Sequence, residues 1–377
     1  MFQMINFPLD ETVQIDPEVW KACAGRSSRT SFYKQVPEVG TDVYYFPEGH
    51  AEQYELHLNL AVAPFDRPMV PCRVLDVRYF ADRTNDDLFA AIVLQPPSAS
   101  SPPVVFGGGA QRPEGLDIDW ETKVLTQSDA NGACGLTVPK ECAESILPLL
   151  ELDQEHLPSQ NLTMSDVQGR KWEFRHVYQG KPARHVLAAY GWNNFSNTKL
   201  LVAGDTVVLM KDRLNEELYI GVRRRRPHMD HIRRRFLHLG AGDQEGVGNF
   251  QRFVEDAARR AAQGLRFEVV LYPMISGFKD FVLQTRLVDT TLRLRWAAGV
   301  RVKMNLAAFD CPKPRWIDGR VSDVMIPQED GQWRGSPWKM LQITWDQPEP
   351  DQLPQNVESL ISPWEVENLE NEAFLLG

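Results

Sequence analysis

Cysteine is scarce in this 377-residue chain, with only Cys23, Cys72, Cys134, Cys142 and Cys311, dispersed, odd in number and forming no CxxC pair. That pattern argues against a disulfide framework and a zinc cluster, and fits a reducing compartment. Long apolar runs are missing too. No stretch approaches the roughly 20 apolar residues that span a bilayer, and the opening MFQMINFPLDETVQ has neither the basic flank nor the apolar core of a secretory signal. Positive charge is in deficit, 41 Lys and Arg against 51 Asp and Glu for a formal net charge of -10. Wholesale coating of nucleic acid is therefore not expected, and any basic surface has to be local.

The usual signs of catalysis are missing as well. There is no G-x-S-x-G elbow, and GAGDQEG at 240–246 lacks the Gly-Lys-Ser/Thr ending of a phosphate loop. Cys134 with His176 or His185 and an acid such as Asp129 would make a nucleophilic set, but nothing in their spacing brings them together. His228 and His231 are three apart, yet Pro227 and the flanking arginines describe a basic segment rather than a metal site. No enzyme activity, metal or cofactor is expected, and neither a membrane nor a small-molecule substrate.

What the chain has in quantity is apolar and aromatic residues: 43% are hydrophobic, with 10 Trp and 18 Phe. It should fold, and its length suggests two or three domains. Runs such as DVYYFP, RVLDVRYF and FAAIVLQ read as strands. PPSASSPPVVFGGGAQRPEGLDI at 96–118 reads as an exposed linker. VPKECAESILPLL is a helix candidate with Pro139 near its start, and NLTMSDVQGRKWEFRHVY is two alternating runs meeting at Gly169. TKLLVAGDTVVLM and ELYIGVRRRR read as further strands. Residues 227–247 are charged and glycine-rich, a linker before the helical FQRFVEDAARRAAQG. Strands resume with LRFEVVLYPM, KDFVLQT and GVRVKMNL, and a tryptophan-rich β unit closes the chain, its tryptophans read as core rather than as an aromatic cage.

Arg170, Lys171, Arg175, Lys181 and Arg184 are opposed in their window only by Glu173. Basic loops on a rigid β scaffold are one way to enter a DNA groove. Arg184 suits a guanine edge, because the guanidinium fork bridges O6 and N7, whereas Lys181 suits a phosphate. Arg223, Arg224, Arg225 and Arg226, with Arg233, Arg234 and Arg235, read as a nuclear import signal or a phosphate-contacting arm.

DPEVWKACAG, VYYFPEGHAEQ, VLTQSDANG, VPKECAESILP, RKWEFRHVYQGKPARH, SNTKLLVAGDTVVLM, RGSPWKMLQITWDQPE and ISPWEVE, in that order, resemble the DNA-binding region of the plant auxin response factors. The wording LTQSDAN most resembles the microRNA160-targeted, mostly repressing subgroup. The resemblance implies a mainly β (α+β) chain in which a seven-stranded open B3 pseudo-barrel is inserted into a discontinuous dimerisation domain, followed by a small Tudor-like β-barrel. The implied boundaries are 13–118 and 248–292 for the dimerisation domain, 119–226 for the B3 domain, 227–247 for a linker and 293–370 for the ancillary domain. Two arms would enter the major groove of TGTC-containing double-stranded DNA, with the protein in the nucleus as a homodimer or a heterodimer with related factors. The implied contacts are Asn131, Ala133, Cys134, Gly135, Thr137 and Lys140 in the first arm, and Gln179, Lys181, Pro182, Arg184, Asn193 and Asn194 in and after the second.

The chain departs from the family pattern inside both arms. Gln179 and Ala183 stand where arginines are usual. Ala133 and Cys134 replace glycine or histidine-glycine forms, Thr137 replaces serine, Lys140 replaces arginine, and HVLAAYGW has one extra residue and lacks two threonines. Lost contacts of about 1–3 kcal/mol each would lower specific affinity. The competing expectation is therefore a divergent dimerising protein that binds DNA weakly and traps partner factors. No Phox-and-Bem-type domain follows in the sequence, so interaction through one is not expected.

Overall fold

The computed structural model describes residues 12–25, 36–54, 67–83, 86–97, 115–131, 135–150, 157–224, 243–273, 280–305, 316–325, 335–346 and 359–370. The fold is mainly β, and its strands form three sheets. The first sheet starts with β1 (Thr12–Gln14), β2 (Asp42–Tyr45), β3 (Val70–Asp82) and β4 (Leu88–Gln95). LFAAIVLQ in β4 is buried for seven successive residues, the signature of a strand covered on both faces. Helix α1 (Pro17–Cys23) is started by Asp16, whose carboxylate accepts the N–H groups of Glu18 at 2.8 Å and Val19 at 3.4 Å, with Pro17 in the first turn. Helix α2 (Pro47–Gln53) follows β2.

The chain then leaves this sheet to build the second, from β5 (Ile118–Val124), β6 (Leu136–Val138), β7 (Ser159–Asp166), β8 (Lys171–Gln179), β9 (Arg184–Leu187), β10 (Thr206–Asp212) and β11 (Leu218–Arg223). Their order is β5-β10-β11-β7-β8-β9-β6, a seven-stranded, nearly closed sheet. Helices α3 (Gln127–Ala130), α4 (Lys140–Ile146) and α5 (Ala189–Thr198) accompany it. The helix α6 (Asp243–Ala262) then leads back to the first sheet, which β12 (Phe267–Leu271) and β13 (Val282–Gln284) complete in the order β12-β4-β3-β2-β13, with β1 beside β3. The seven-stranded unit is thus inserted into the six-stranded one. On α6, Val254, Ala257, Ala258 and Ala261 are buried, an i, i+3, i+4, i+7 stripe. Helix α7 (Thr285–Leu292) leads to the third sheet, of β14 (Arg301–Asn305), β15 (Trp316–Val324), β16 (Leu341–Trp345), β17 (Leu360–Ile361) and β18 (Glu367–Asn368).

Three sequence expectations change. Helix α6 begins at Asp243, inside the stretch 227–247 read as linker, while residues 225–242 lie outside the described ones. In TKLLVAGDTVVLM, Thr198 ends α5 and strand begins only at Thr206, because Lys199 is a buried cation rather than an outward strand residue. The run KDFVLQT gives three residues of β13 before α7 begins, which the strand reading overlooked.

The units are locked together by side chains. Lys199 Nζ lies 2.8 Å from Asp86 Oδ1 beside β4 and 2.8 Å from Asp166 Oδ2 at the end of β7, all three buried. Gly221 is bare because a Cβ there would stand 2.3 Å from Cys23 Sγ on α1. Trp338 lies over Gly49 of α2 and donates from Nε1 to Glu52 at 2.8 Å, and both Trp338 and Trp364 pack on Phe46. These two tryptophans are packing residues between units.

Candidate nucleic-acid interface

The hairpin of β8 and β9 closes between Gln179 and Arg184, which are register partners, through Gly180 with φ of +100° and a cis bond from Lys181 to Pro182. All six residues 179–184 are exposed, and Lys181 and Arg184 have no ion-pair partner among the described residues. The stretch YQGKPARHVLAAYGW is therefore a tip, a strand and the start of a helix. Of the basic residues counted at 170–185, only Lys181 and Arg184 sit at this tip. Lys171 begins β8, eight residues and roughly 26 Å of extended strand away, and Arg170 lies over the Trp172 ring at 4.1 Å.

The first arm runs from Thr126 through α3. Thr126 and Asp129 form a capping box: the Thr126 hydroxyl accepts the Asp129 N–H at 3.3 Å, and Asp129 accepts the Thr126 N–H at 2.9 Å. The buried Asp129 carboxylate also accepts the Thr137 N–H at 3.4 Å and lies 3.5 Å from Lys123 Nζ. Helix α5 holds this arm, with the Trp192 indole donating to the Asp129 carbonyl at 2.7 Å and Ser196 to that of Ala130 at 3.2 Å. Gly191 lets α5 lie on β8, since a Cβ would stand 2.3 Å from the Glu173 carbonyl oxygen. Strand β6 then pairs with β9, Leu136 with Leu187 and Val138 with His185, so that one short ladder joins the two arms.

The expected contacts divide accordingly. Gln179, Lys181, Pro182 and Arg184 stand together at the tip. Asn131 is exposed at the end of α3, its Oδ1 accepting from Gln127 at 3.2 Å. Lys140 is exposed at the start of α4, two residues past the Val138–His185 pair, and 3.6 Å from Glu144. Gly135 is buried, with φ of +77°, and a Cβ there would stand 2.2 Å from the Leu187 carbonyl oxygen. Its close approach is to β9. Thr137 is half-buried in β6, Asn193 is half-buried on α5 and Asn194 exposed beside it. Ala133 and Cys134 lie outside the described residues. Asp129 serves as a cap and His176 and His185 bond each other, so the nucleophilic set weighed above is not assembled by them.

The import reading of the arginine run needs correction where it is described. Arg223 donates to the Cys23 carbonyl at 2.7 Å and the Ala22 carbonyl at 2.6 Å and lies over Trp120, while Arg224 bonds the carbonyls of Lys199 and Leu200 and lies 3.1 Å from Asp205. Both are spent on packing. Arg225, Arg226, Arg233, Arg234 and Arg235, with His228 and His231, lie outside the described residues.

Sequence reasoning missed the framework residues Asp129, Trp192 and Ser196, although Thr126-x-x-Asp129 carries a capping-box spacing. It also passed over Tyr190, which is 96% exposed on the first turn of α5 beside Gly135.

Residues 122–226 match the B3 DNA binding domain family, and residues 281–370 match the auxin response factor ancillary domain. The chain is similar to auxin response factor 17 of Arabidopsis thaliana, 38% identical over 94% of this chain and 62% of the relative, and to auxin response factor 10 of Oryza sativa subsp. indica, 36% identical over 94% of this chain and 52% of the relative. It thus spans about half to three-fifths of the length of these curated relatives. Among solved structures, the Arabidopsis FUS3-DNA complex is 27% identical over 28% of this chain and 95% of that chain, with a TM-score of 0.24. With a B3 domain of exposed-tip geometry, the ancillary domain behind it and relatives matching nearly all of its length, the chain belongs to the auxin response factor family.

Proposed function

We propose that this protein is a nuclear, sequence-specific DNA-binding regulator of auxin-responsive genes, which binds TGTC-containing elements as a dimer and represses or competes for those sites. The observation that carries this reading is the hairpin tip, where Arg184 and Lys181 are exposed and have no ion-pair partner among the described residues, on a chain whose net charge is negative. Among the described residues, the other arginines around the barrel are tied to carboxylates, carbonyls, a hydroxyl or rings. An unpaired guanidinium on a narrow, two-stranded projection is suited to a base edge in the major groove. Dimerisation through the six-stranded unit belongs to the same proposal and rests on the family relationship.

A second reading is favoured by Gln179 and Ala183, exposed at the same tip where the family pattern carries arginine. It makes the protein a dimerising trap for partner factors with weak DNA binding. Fluorescence anisotropy on an inverted TGTC repeat and on a scrambled duplex, over a salt series, separates the two. Preference for the repeat that Arg184→Ala removes supports the regulator. Equal weak binding to both duplexes, with a dimer by light scattering, supports the trap.

A further inference from the structure

Behind the reading hairpin three side chains form a directed relay. Gln160 on β7 is the register partner of His176 on β8, and His176 Nε2 lies 3.0 Å from His185 Nδ1 on β9. Gln160 Nε2 lies 2.7 Å from the Pro148 carbonyl oxygen. A carbonyl only accepts, so the amide must present its NH2 group there. The same NH2 lies 3.2 Å from His176 Nδ1, which therefore accepts. His176 is 1% exposed, and burial is the main cause that lowers its pKa to about 4, so it is neutral at pH 7. Its one proton sits on Nε2 and is donated to His185 Nδ1. With its Nδ1 accepting, His185 carries its ring proton on Nε2, an atom with no protein partner among the described residues and not among the enclosed polar atoms.

The position of His185 says what this donor faces. Lys181 and Pro182 are the apex, and a strand advances about 3.3 Å per residue. Gln179 and Arg184 then stand within the roughly 8.5 Å depth of a B-form major groove. His185 and its register partner Tyr178, whose rings are 4.8 Å apart, stand about 10 Å behind the apex, level with the phosphates that rim the groove. We propose that His185, fixed as an Nε2–H donor by Gln160 and His176, bonds a backbone phosphate of the bound duplex, with Gln160 and His176 as its positioning residues. This rests on the DNA-binding reading above. It adds a neutral contact that stiffens the register of the hairpin in the groove without adding to the net charge of the tip.

The test has one arm that needs no DNA. In the full-length protein labelled with 15N-histidine, long-range proton–nitrogen spectra at pH 7 should show both His176 and His185 as Nε2–H tautomers, and Gln160→Met should turn His185 into a mixture. An Nδ1–H tautomer at His185 in the native protein overturns the relay. The second arm measures affinity for an inverted TGTC repeat carrying single methylphosphonates. At one phosphate of each half-site the neutral linkage should weaken native binding about tenfold and leave His185→Phe unaffected. His185→Phe should lose about the same factor on unmodified DNA with an unchanged salt slope, since a neutral donor releases no counterion. His185→Gln, which keeps an outward N–H, should retain most of the affinity. Additive losses at every phosphate overturn the contact. If the native protein prefers neither duplex, the DNA-binding reading itself fails and the phosphate role falls with it, while the spectra still decide the relay.

Discussion

Gly135 is a position where the backbone leaves no choice of side chain. Its φ of +77° disfavours any L residue, and a Cβ would stand 2.2 Å from the Leu187 carbonyl and 3.0 Å from the Ala189 nitrogen, both backbone atoms. Gly135→Ala should therefore cost about 2–4 kcal/mol in urea unfolding, and it should do so in the absence of DNA. A loss seen only in DNA affinity would show that the glycine serves the duplex instead of β9. Lys181 and Arg184 differ in kind, being exposed and without ion-pair partners among the described residues. Lys181→Ala should reduce the slope of log affinity against log salt by about 0.9 at every sequence, whereas Arg184→Ala should cost about 1–3 kcal/mol at one base position. At this scale the sequence was informative about chemistry and poor about partners. The family resemblance marked TQSDANG as an arm, and charge marked GKPAR as a basic loop, because charge and turn residues act locally. That Gly135 meets Leu187, and Trp192 the carbonyl of Asp129, depends on chain segments brought together only by the β6–β9 ladder.

The elements show the same division between local and distant causes. The hairpin at Gly169, the helix after Pro139 and the stop of α6 before Gly264, with its φ of +71°, follow from alternation, capping and left-handed glycine, all legible over a few residues. Helix α5 was not legible, since AYGWNNFSNT is poor in helix formers. It is held by what it touches: Gly191 against β8, and Trp192 and Phe195 fully buried among the barrel strands. Its end is set by Lys199, whose ammonium lies between Asp86 and Asp166, with the Trp172 indole donating to Asp166 at 2.9 Å and Gln168 to Asp86 at 2.7 Å. Burial is the first cause of the raised pKa of Asp86, which the nearby Lys199 opposes. Removing the cation strands two buried carboxyls. Lys199→Met should destabilise the fold by about 3–5 kcal/mol, and adding Asp86→Asn should recover part of that loss in the same urea titration. Independent, additive effects would mean that the two groups are not coupled.

Across the whole molecule the junction between α2 and the third sheet couples stability to pH. Glu48 accepts the Ser336 hydroxyl at 2.7 Å, and Glu52 accepts the Trp338 indole and the Lys339 ammonium beside it. Burial is the main cause that raises the Glu48 carboxyl to about 7, with Glu52 adding to it and Ser336 and Lys339 acting against it. A carboxyl whose folded pKa exceeds its ordinary value near 4.5 stabilises the folded state most below that value. The contribution is lost as pH rises towards 7, because the unfolded chain releases the proton first. His50 and His176 act in the opposite direction. Burial lowers them to about 3 and about 4, so the unfolded chain takes up protons first, and their contribution is lost as pH falls below about 6.5. Two histidines outweigh one carboxyl, so stability rises with pH up to about 7, and Glu48 makes that rise shallower than the histidines alone would give. Glu48→Gln keeps the side-chain volume and a group that can accept from Ser336 without ionising. In thermal melts from pH 5 to 8 the melting temperature of Glu48→Gln should climb more steeply with pH than that of the native protein up to about pH 7, and the two should run parallel above it. Curves parallel over the whole range would remove Glu48 as the cause of the shallower rise and shift attention to Glu52 and Lys339, the other charges at the same junction.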